Sequence, residues 1–159
     1  MNLDTCIVNA ATTAWDESYV AGVRNQNNCS GFLHEVARHL QVPLPSGNAD
    51  SIMSRLPQAT GWSQLSNGAD AERKAAQGFF VVAGMKGKNH KVPRNNGHVA
   101  LVISGPLYLN KYPRCWAGSL GSPSGQSQGQ KSVGQIWRPV DRDNVQYFAY
   151  ESASCLPKL

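Results

Sequence analysis

The chain has no apolar run near the roughly 18 residues that a membrane-spanning helix requires. Its longest is Phe79–Met85, so a transmembrane segment is excluded. No Lys or Arg precedes Arg24, and residues 3–14 alternate polar with apolar side chains, so a cleaved secretory signal is not expected either. That leaves a cytosolic chain, one whose signal has been removed, or one exported without a cleaved signal. No C-x-x-C occurs, and the histidines are not spaced as zinc ligands, which argues against a structural metal site. No other cofactor is expected. Charged residues are few, at 16%, and the net charge of +5 is scattered. The densest basic group, Lys86, Lys88, Lys91 and Arg94, sits among Gly, Asn and Pro without interleaved aromatics. That composition reads as a solvated loop, not as a nucleic-acid surface. The glycine-rich run Gly118–Gly134 lacks a strand–GxGxxG–helix context, so it is no phosphate cradle; it reads as a mobile loop beside a sheet.

What remains is an ordinary apolar content spread over 159 residues, enough for one compact domain spanning 1–159. Residues 3–15 place Leu3, Cys6, Ile7, Ala10, Ala11 and Ala14 on one helical stripe. A polar run, Asn25-Gln26-Asn27-Asn28, leads into a second helix over 29–40, whose buried face is Phe32, Leu33, Val36, Ala37 and Leu40. Val42-Pro43-Leu44-Pro45 stops it. Further helices are predicted over 49–56 and 69–77, the latter closed by Gly78. Beyond Gly78 the period changes. Residues 79–85, 99–104, 115–120, 135–137 and 145–151 read as strands, rich in β-branched or aromatic residues. Helices first and strands afterwards predict an α+β fold, with N-terminal helices packed on a mainly antiparallel β-sheet.

Two pentapeptides carry chemistry. Asn28-Cys29-Ser30-Gly31-Phe32 puts a thiol where a helix begins, and Gly97-His98-Val99-Ala100-Leu101 puts an imidazole where an apolar strand begins. A helix N-terminus and a nearby imidazolium both favour thiolate, drawing a thiol pKa from about 8.5 into the range of roughly 3.5–7.5. Backbone donors in the first turn can also hold an oxyanion. Cys29 and His98 are therefore a candidate catalytic pair. If the face carrying His98, Ala100, Val102 and Ser104 packs on the Cys29 helix, small Ala100 allows the approach. His90 competes with His98 but lies in a loop where it would be poorly fixed. His34 and His39 lie too far along the second helix to reach Cys29, and read as surface or capping residues. For a third group orienting the imidazole, Ser119, the Cys115 thiol and a backbone carbonyl are all open; Ala117 offers no polar atom. Cys6 and Cys155 lie near the two ends. They are either two buried thiols or a disulfide closing almost the whole chain, with stabilisation of about 5 kcal/mol at most.

The helix-leading N-C-S-G-F and strand-leading G-H-V-A-L-V-I-S, in helix-then-sheet order, resemble the NlpC/P60 cysteine peptidases, a compact papain-like fold. Cys6-Ile7-Val8-Asn9-Ala10, Ser104-Gly105-Pro106-Leu107-Tyr108 and Lys111-Tyr112-Pro113 narrow the likeness, as do Gly125-Gln126-Ser127-Gln128-Gly129 and Lys131-Ser132-Val133-Gly134-Gln135. Over nearly the whole chain these segments resemble the first family of type VI secretion amidase effectors. Two features depart from that pattern. Ala117 stands where the family can carry a polar or thiol orienting residue, and the segment from Lys86 to Asn96 is longer than expected before the histidine.

The resemblance implies a peptidoglycan amidase that cuts stem peptides between γ-D-glutamate and meso-diaminopimelate. It implies Cys29 as nucleophile, His98 as general base and a Cys6–Cys155 disulfide. It also implies synthesis in the cytoplasm without a cleaved signal, delivery by the type VI apparatus to the periplasm of Gram-negative target cells, and an immunity protein that plugs the cleft. Ser30, beside the nucleophile, is the expected substrate contact on the glutamate side. A monomer is expected, with neither nucleic acid nor membrane as partner. The Cys–His pair alone leaves two rivals: a papain-like toxin that deamidates or transamidates a protein, and a non-catalytic wall-binding or partner-binding module with Cys29 merely buried.

Overall fold

A computed structural model describes residues 3–155. The helices are α1 (Thr5–Trp15), α2 (Cys29–Leu40), α3 (Ala49–Arg55), α4 (Gly68–Ala76) and α5 (Val133–Ile136). The strands are β1 (Trp62–Leu65), β2 (Phe79–Met85), β3 (His98–Val102), β4 (Arg114–Ala117), β5 (Ser127–Ser132) and β6 (Gln146–Ala153). They form one sheet in the order β1-β6-β2-β3-β4-β5, and every pair is antiparallel. The architecture is the α+β arrangement that the order of periodicities predicts.

The sheet has two buried faces. On one, Phe80, Val82, Val99, Leu101, Ile103, Trp116 and Phe148 meet Ile7, Ala11 and Ala14 of α1, Phe32, Leu33 and Val36 of α2, and Ile52 and Met53 of α3. On the other, Val81, Ala83, Ala100, Val102, Cys115, Ala117 and Tyr147 meet Ala71 and Ala75 of α4 and Val133 of α5. Strand β2 lies between β6 and β3, covered on both sides, which is why its sequence is almost unbroken apolar. The face of β3 that packs on α2 is the Val99, Leu101 and Ile103 face. The alternative, in which His98, Ala100 and Val102 face that helix, is not what forms: bulkier Val99 and Leu101 fill the wider gap under α2, and Ala100 faces α4 and α5.

Helix α2 starts at Cys29 because Asn28 caps it, its Oδ1 accepting the Gly31 N–H at 2.9 Å. A Cβ at Gly31 would fall 2.5 Å from the Asn28 side-chain nitrogen, so the glycine makes room for its own cap. Helix α1 begins two residues later than its apolar stripe suggests. Leu3 is outside it, hydrogen-bonded through its N–H to Ala76, and Asp4 is buried with its carboxylate accepting the Ser104 N–H.

Three strand expectations are corrected. Residues 135–137 are not a strand; Gln135 closes a short helix by accepting the Ser132 N–H through its side chain at 2.8 Å. The Gly118–Gly134 run is not all loop, since Ser127–Ser132 forms edge strand β5 against β4. Strand β1 was not anticipated; it pairs with β6 at the opposite edge. The edge strands WSQL and SQGQKS are polar because only one side of each pairs and little of either is covered. The Lys86–Asn96 segment is a loop with one tight helical turn over Gly87–Asn89, and it is not solvated throughout.

The first and last described stretches of the chain meet at Gly78. This residue takes φ +88°, and a Cβ there would lie 2.9 Å from the Leu3 carbonyl and 3.2 Å from Cys155 Cβ. Ser154 donates its N–H to the Gly78 carbonyl, and Cys6 and Cys155 form a disulfide with Cα atoms 5.4 Å apart. It closes a loop spanning 149 residues of sequence, so it restricts the unfolded chain strongly. Cys155→Ser, or reduction, is expected to lower stability by about 2–5 kcal/mol. Thermal unfolding with and without dithiothreitol checks this; an unchanged midpoint would refute it.

Candidate active site

Cys29 and His98 are both half-buried, at the start of α2 and the start of β3. Packing of α2 on β3 brings the sulfur against the Val99 N–H, one residue from the histidine, and the N–H groups of Ser30 and Cys29 also turn toward it. Burial is the larger influence and pushes the thiol up from its ordinary range; the three backbone donors only partly offset it, and Asp50 opposes them. The resting sulfur is a thiol, which corrects the expectation of a strongly depressed pKa at this helix N-terminus. Among the described residues no hydrogen bond joins the sulfur to the imidazole; such contacts in substrate-free sites are commonly long and tighten only when substrate binds.

His98 sits against Trp137, ring centroids 4.9 Å apart, and its Nε2 lies 3.0 Å from the Gly125 carbonyl oxygen. A carbonyl only accepts, so Nε2 carries the hydrogen and neutral His98 keeps a lone pair on Nδ1, free to act as base. The imidazole is lowered to about 4, chiefly by burial, against the pull of the Gly125 carbonyl and with Arg94 and His90 adding to the fall. The resting pair is thus thiol plus neutral imidazole. That state suits general-base activation at the moment of attack, not a standing ion pair.

The Gly125 carbonyl fills the place of the third group. It comes from the loop ahead of β5, not from β4. Cys115 is fully buried, its thiol pushed well up by burial and facing the Lys131 carbonyl; the Ser119 hydroxyl lies beside Gly125 and, among the described residues, makes no hydrogen bond to the ring. Ala117 is buried among apolar neighbours. No sequence signal marks a main-chain oxygen as an orienting group, although the Gly125-Gln126-Ser127-Gln128-Gly129 segment stood out as a motif. Trp137 and Asp50 were also missed. Asp50 accepts the Gly87 N–H at 2.9 Å, which ties the Lys86–Asn96 segment to α3 beside Gly97.

The remaining histidines separate as follows. His90 is not a loosely held loop residue: it is buried, with Nδ1 3.0 Å from the Lys86 carbonyl and 3.2 Å from that of Gly87. His34 reaches the Gly47 carbonyl and stacks on Tyr19, and His39 meets Glu17, so both serve the surface as expected. Glu17, Glu35 and His39 converge, but Arg38 already bonds Glu35 at 2.6 Å, which satisfies the carboxylate without an ion. Ser30 donates to Asn28 Oδ1 at 3.1 Å and lines an open cavity of about 290 Å³ with Tyr19, Val20, His34 and Asn48. That cavity adjoins the first turn of α2, while Cys29 and His98 themselves stand outside its wall.

These features are those of an α+β protein consistent with an NlpC/P60-like fold. Over 158 residues, 99% of this chain and 97% of the relative, the sequence is 54% identical to peptidoglycan amidase Tse1 of Pseudomonas aeruginosa. No protein-family model matches. The chain belongs to the family of that peptidoglycan amidase. Among the described residues no helix is long and apolar enough to cross a membrane.

A titration follows from the ring's surroundings. His98 is expected to protonate near pH 4 in the folded protein, against about 6.5 unfolded. The unfolded chain then binds the extra proton between those values, so stability holds above pH 6.5 and declines as pH falls toward 4. Histidine NMR read alongside denaturant melts checks both; a folded midpoint near 6.5 would contradict the site described.

Proposed function

We propose that this protein is a peptidoglycan amidase acting as a cysteine endopeptidase on the γ-D-glutamyl–meso-diaminopimelate bond of stem peptides. The observation that carries the reading is the His98 Nε2 bond to the Gly125 carbonyl, which leaves Nδ1 as a free base at the end of the sheet where the Cys29 sulfur lies. Near full-length identity to a peptidoglycan amidase supports the substrate.

The chemistry proceeds in two halves. Nδ1 of His98 takes the Cys29 proton as the sulfur attacks the γ-glutamyl carbonyl, so no standing thiolate is needed. The first-turn N–H groups of α2, that of Cys29 foremost, stabilise the tetrahedral oxyanion. The imidazolium, steadied by Gly125, gives its proton to the leaving amine of diaminopimelate. Water, deprotonated by the same Nδ1, then releases the thioester as a free γ-carboxylate. Ser30 and the cavity beside it hold the glutamate side of the stem peptide.

In this reading the protein works as a single catalytic domain and a monomer. It is an antibacterial effector carried by a type VI apparatus to the periplasm of Gram-negative target cells, and a cognate immunity protein blocks its cleft in the producer. The disulfide suits that destination, because the periplasm is oxidising.

Purified protein should convert Gram-negative muropeptides into disaccharide dipeptide and diaminopimelate-containing fragments, read by mass spectrometry. Cys29→Ala and His98→Ala should abolish cleavage, and Ser30→Ala should raise KM more than it lowers kcat. Intact muropeptides with the wild-type protein would reject the amidase and favour a toxin acting on a protein side chain. Undiminished cleavage by Cys29→Ala would reject the nucleophile.

A further inference from the structure

The carbonyl that orients His98 has no rigid element of its own. Gly125 ends an exposed turn, Pro123–Gly125, on a connection between β4 and β5. Something must hold that oxygen within hydrogen-bond reach of the ring, and the half-buried Gln126 side chain is placed to do so. Its Nε2 donates to the Gln26 carbonyl at 2.8 Å, with Asn27 Oδ1 and the Ser119 carbonyl each at 3.3 Å. Gln26 and Asn27 belong to the tight turn Asn25–Asn27, directly ahead of the Asn28 cap and Cys29. Ser119 begins the connection that Gly125 closes, and its N–H also donates to the Gln26 carbonyl, at 2.9 Å. One amide group therefore bonds the segment leading to the nucleophile and the loop that touches the base.

The surrounding glycines leave space for this junction. Gly118 packs directly on the Asn25 and Asn28 carbonyls, where a Cβ would overlap them. A Cβ on Gly125 would fall 2.5 Å from Ser119 Oγ and 3.6 Å from His98 Nε2, so the loop closes on itself under the ring. Among the described residues the other side-chain ties to the turn, besides His98 itself, are the neighbouring Ser122 hydroxyl, which accepts the Ser124 N–H at 3.3 Å, and the Lys131 ammonium on the Pro123 carbonyl at 3.1 Å; both are exposed and weak restraints.

We propose that Gln126 is a positioning residue for the hydrolytic reaction: it clamps residues 119–125 to the turn before Cys29 and so fixes the Gly125 carbonyl on His98. This rests on the reading of Cys29 and His98 as the catalytic pair. An amide is suited to the place because its uncharged NH₂ offers two hydrogens to the oxygens gathered there, one to the Gln26 carbonyl at 2.8 Å and one shared by Asn27 Oδ1 and the Ser119 carbonyl, each at 3.3 Å. A carboxylate there would meet them as like partial charges, and an aliphatic side chain would remove the donor that links them, leaving the Gln26 carbonyl only its bond from the Ser119 N–H.

Gln126→Leu and Gln126→Glu are the variants, assayed on muropeptides and by NMR of the His98 ring. The expected result is a fall in kcat of about 10–100-fold with KM changed less than about twofold, since misplacement of a base by about 1 Å costs on that order. The Nε2–H resonance should lose its protection from exchange. In Gln126→Leu, which adds no charge, the His98 titration should move lower, because the Gly125 carbonyl favours the protonated ring. The carboxylate of Gln126→Glu itself pulls the titration upward, so that variant is read by kcat and exchange alone. The charged and titratable groups around the ring, which are His90, Arg94, Cys29 and Asp50 beside Gly97, are untouched by either change. An unaltered Nε2–H signal and titration, or a rise in KM alone, would overturn the clamp. Should the variants fold poorly, hydrogen exchange on the wild-type protein decides: the Gln126 side-chain amide and the Ser119 N–H should both be protected, and exchange at solvent rates would sink the proposal. The NMR and exchange readouts stand even where muropeptides are not cleaved, so loss of the amidase reading and loss of the clamp are told apart.

Discussion

The contact between the apolar side of α2 and the Val99, Leu101 and Ile103 side of β3 governs the rest of this molecule. Phe32, Leu33 and Val36 are wholly buried there, and burial of such side chains contributes about 1.5–3 kcal/mol each. The contact also fixes how the start of the helix meets the start of the strand. Because side chains alternate along β3, seating Val99 under the helix leaves His98 turned toward Trp137 and the Gly125 loop. The sulfur then meets the strand at the Val99 amide. A shift of one residue in this packing would put the imidazole under the helix and Val99 at the loop, and would separate the ring from the carbonyl that selects its tautomer.

Burial sets the chemistry as much as proximity does. A helix N-terminus favours a thiolate, and the backbone donors around Cys29 act in that direction, yet removal from water outweighs them. The same loss of solvent keeps His98 neutral. The two effects match: a thiol needs a neutral base, and a standing thiolate would need an imidazolium partner. In the proposed mechanism a proton moves from thiol to imidazole during reaction, with main-chain oxygen and nitrogen atoms steadying each charge as it develops.

Stability and site geometry meet at Gly78 and at the disulfide. Leu3, Gly78 and Cys155 are gathered where α4 turns into β2, so both ends of the chain are tied to the central strand. That tie lies beside α1, one of the helices against which α2 packs. Asp50 works similarly at the other end of β3, binding the Gly87 amide and drawing the long segment ahead of His98 onto α3. That segment folds through a tight turn over Gly87–Asn89 and buries His90, whose Nδ1 faces the Lys86 and Gly87 carbonyls.

Local pattern was sufficient for much of this protein. The stripes of α1 and α2, the Asn28 cap, the Pro43 and Gly78 stops, the apolar strand β2, and the places of Cys29 at a helix start and His98 at a strand start are legible because each depends on neighbours within a few residues. The family motifs carried the link between Cys6 and Cys155. Polar edge strands β1 and β5 were illegible, since a strand with one free edge and little burial needs no alternation. Gln135 misled because a short helix closed by its own side chain resembles a brief β-branched run. Sequence by itself determined that Cys29 begins a helix and His98 begins a strand. Only the tertiary structure decided which face of β3 lies under α2, that the thiol and imidazole rest uncharged, and that a main-chain oxygen orients the ring, because desolvation and carbonyl direction belong to the assembled layers and leave no mark on residue type.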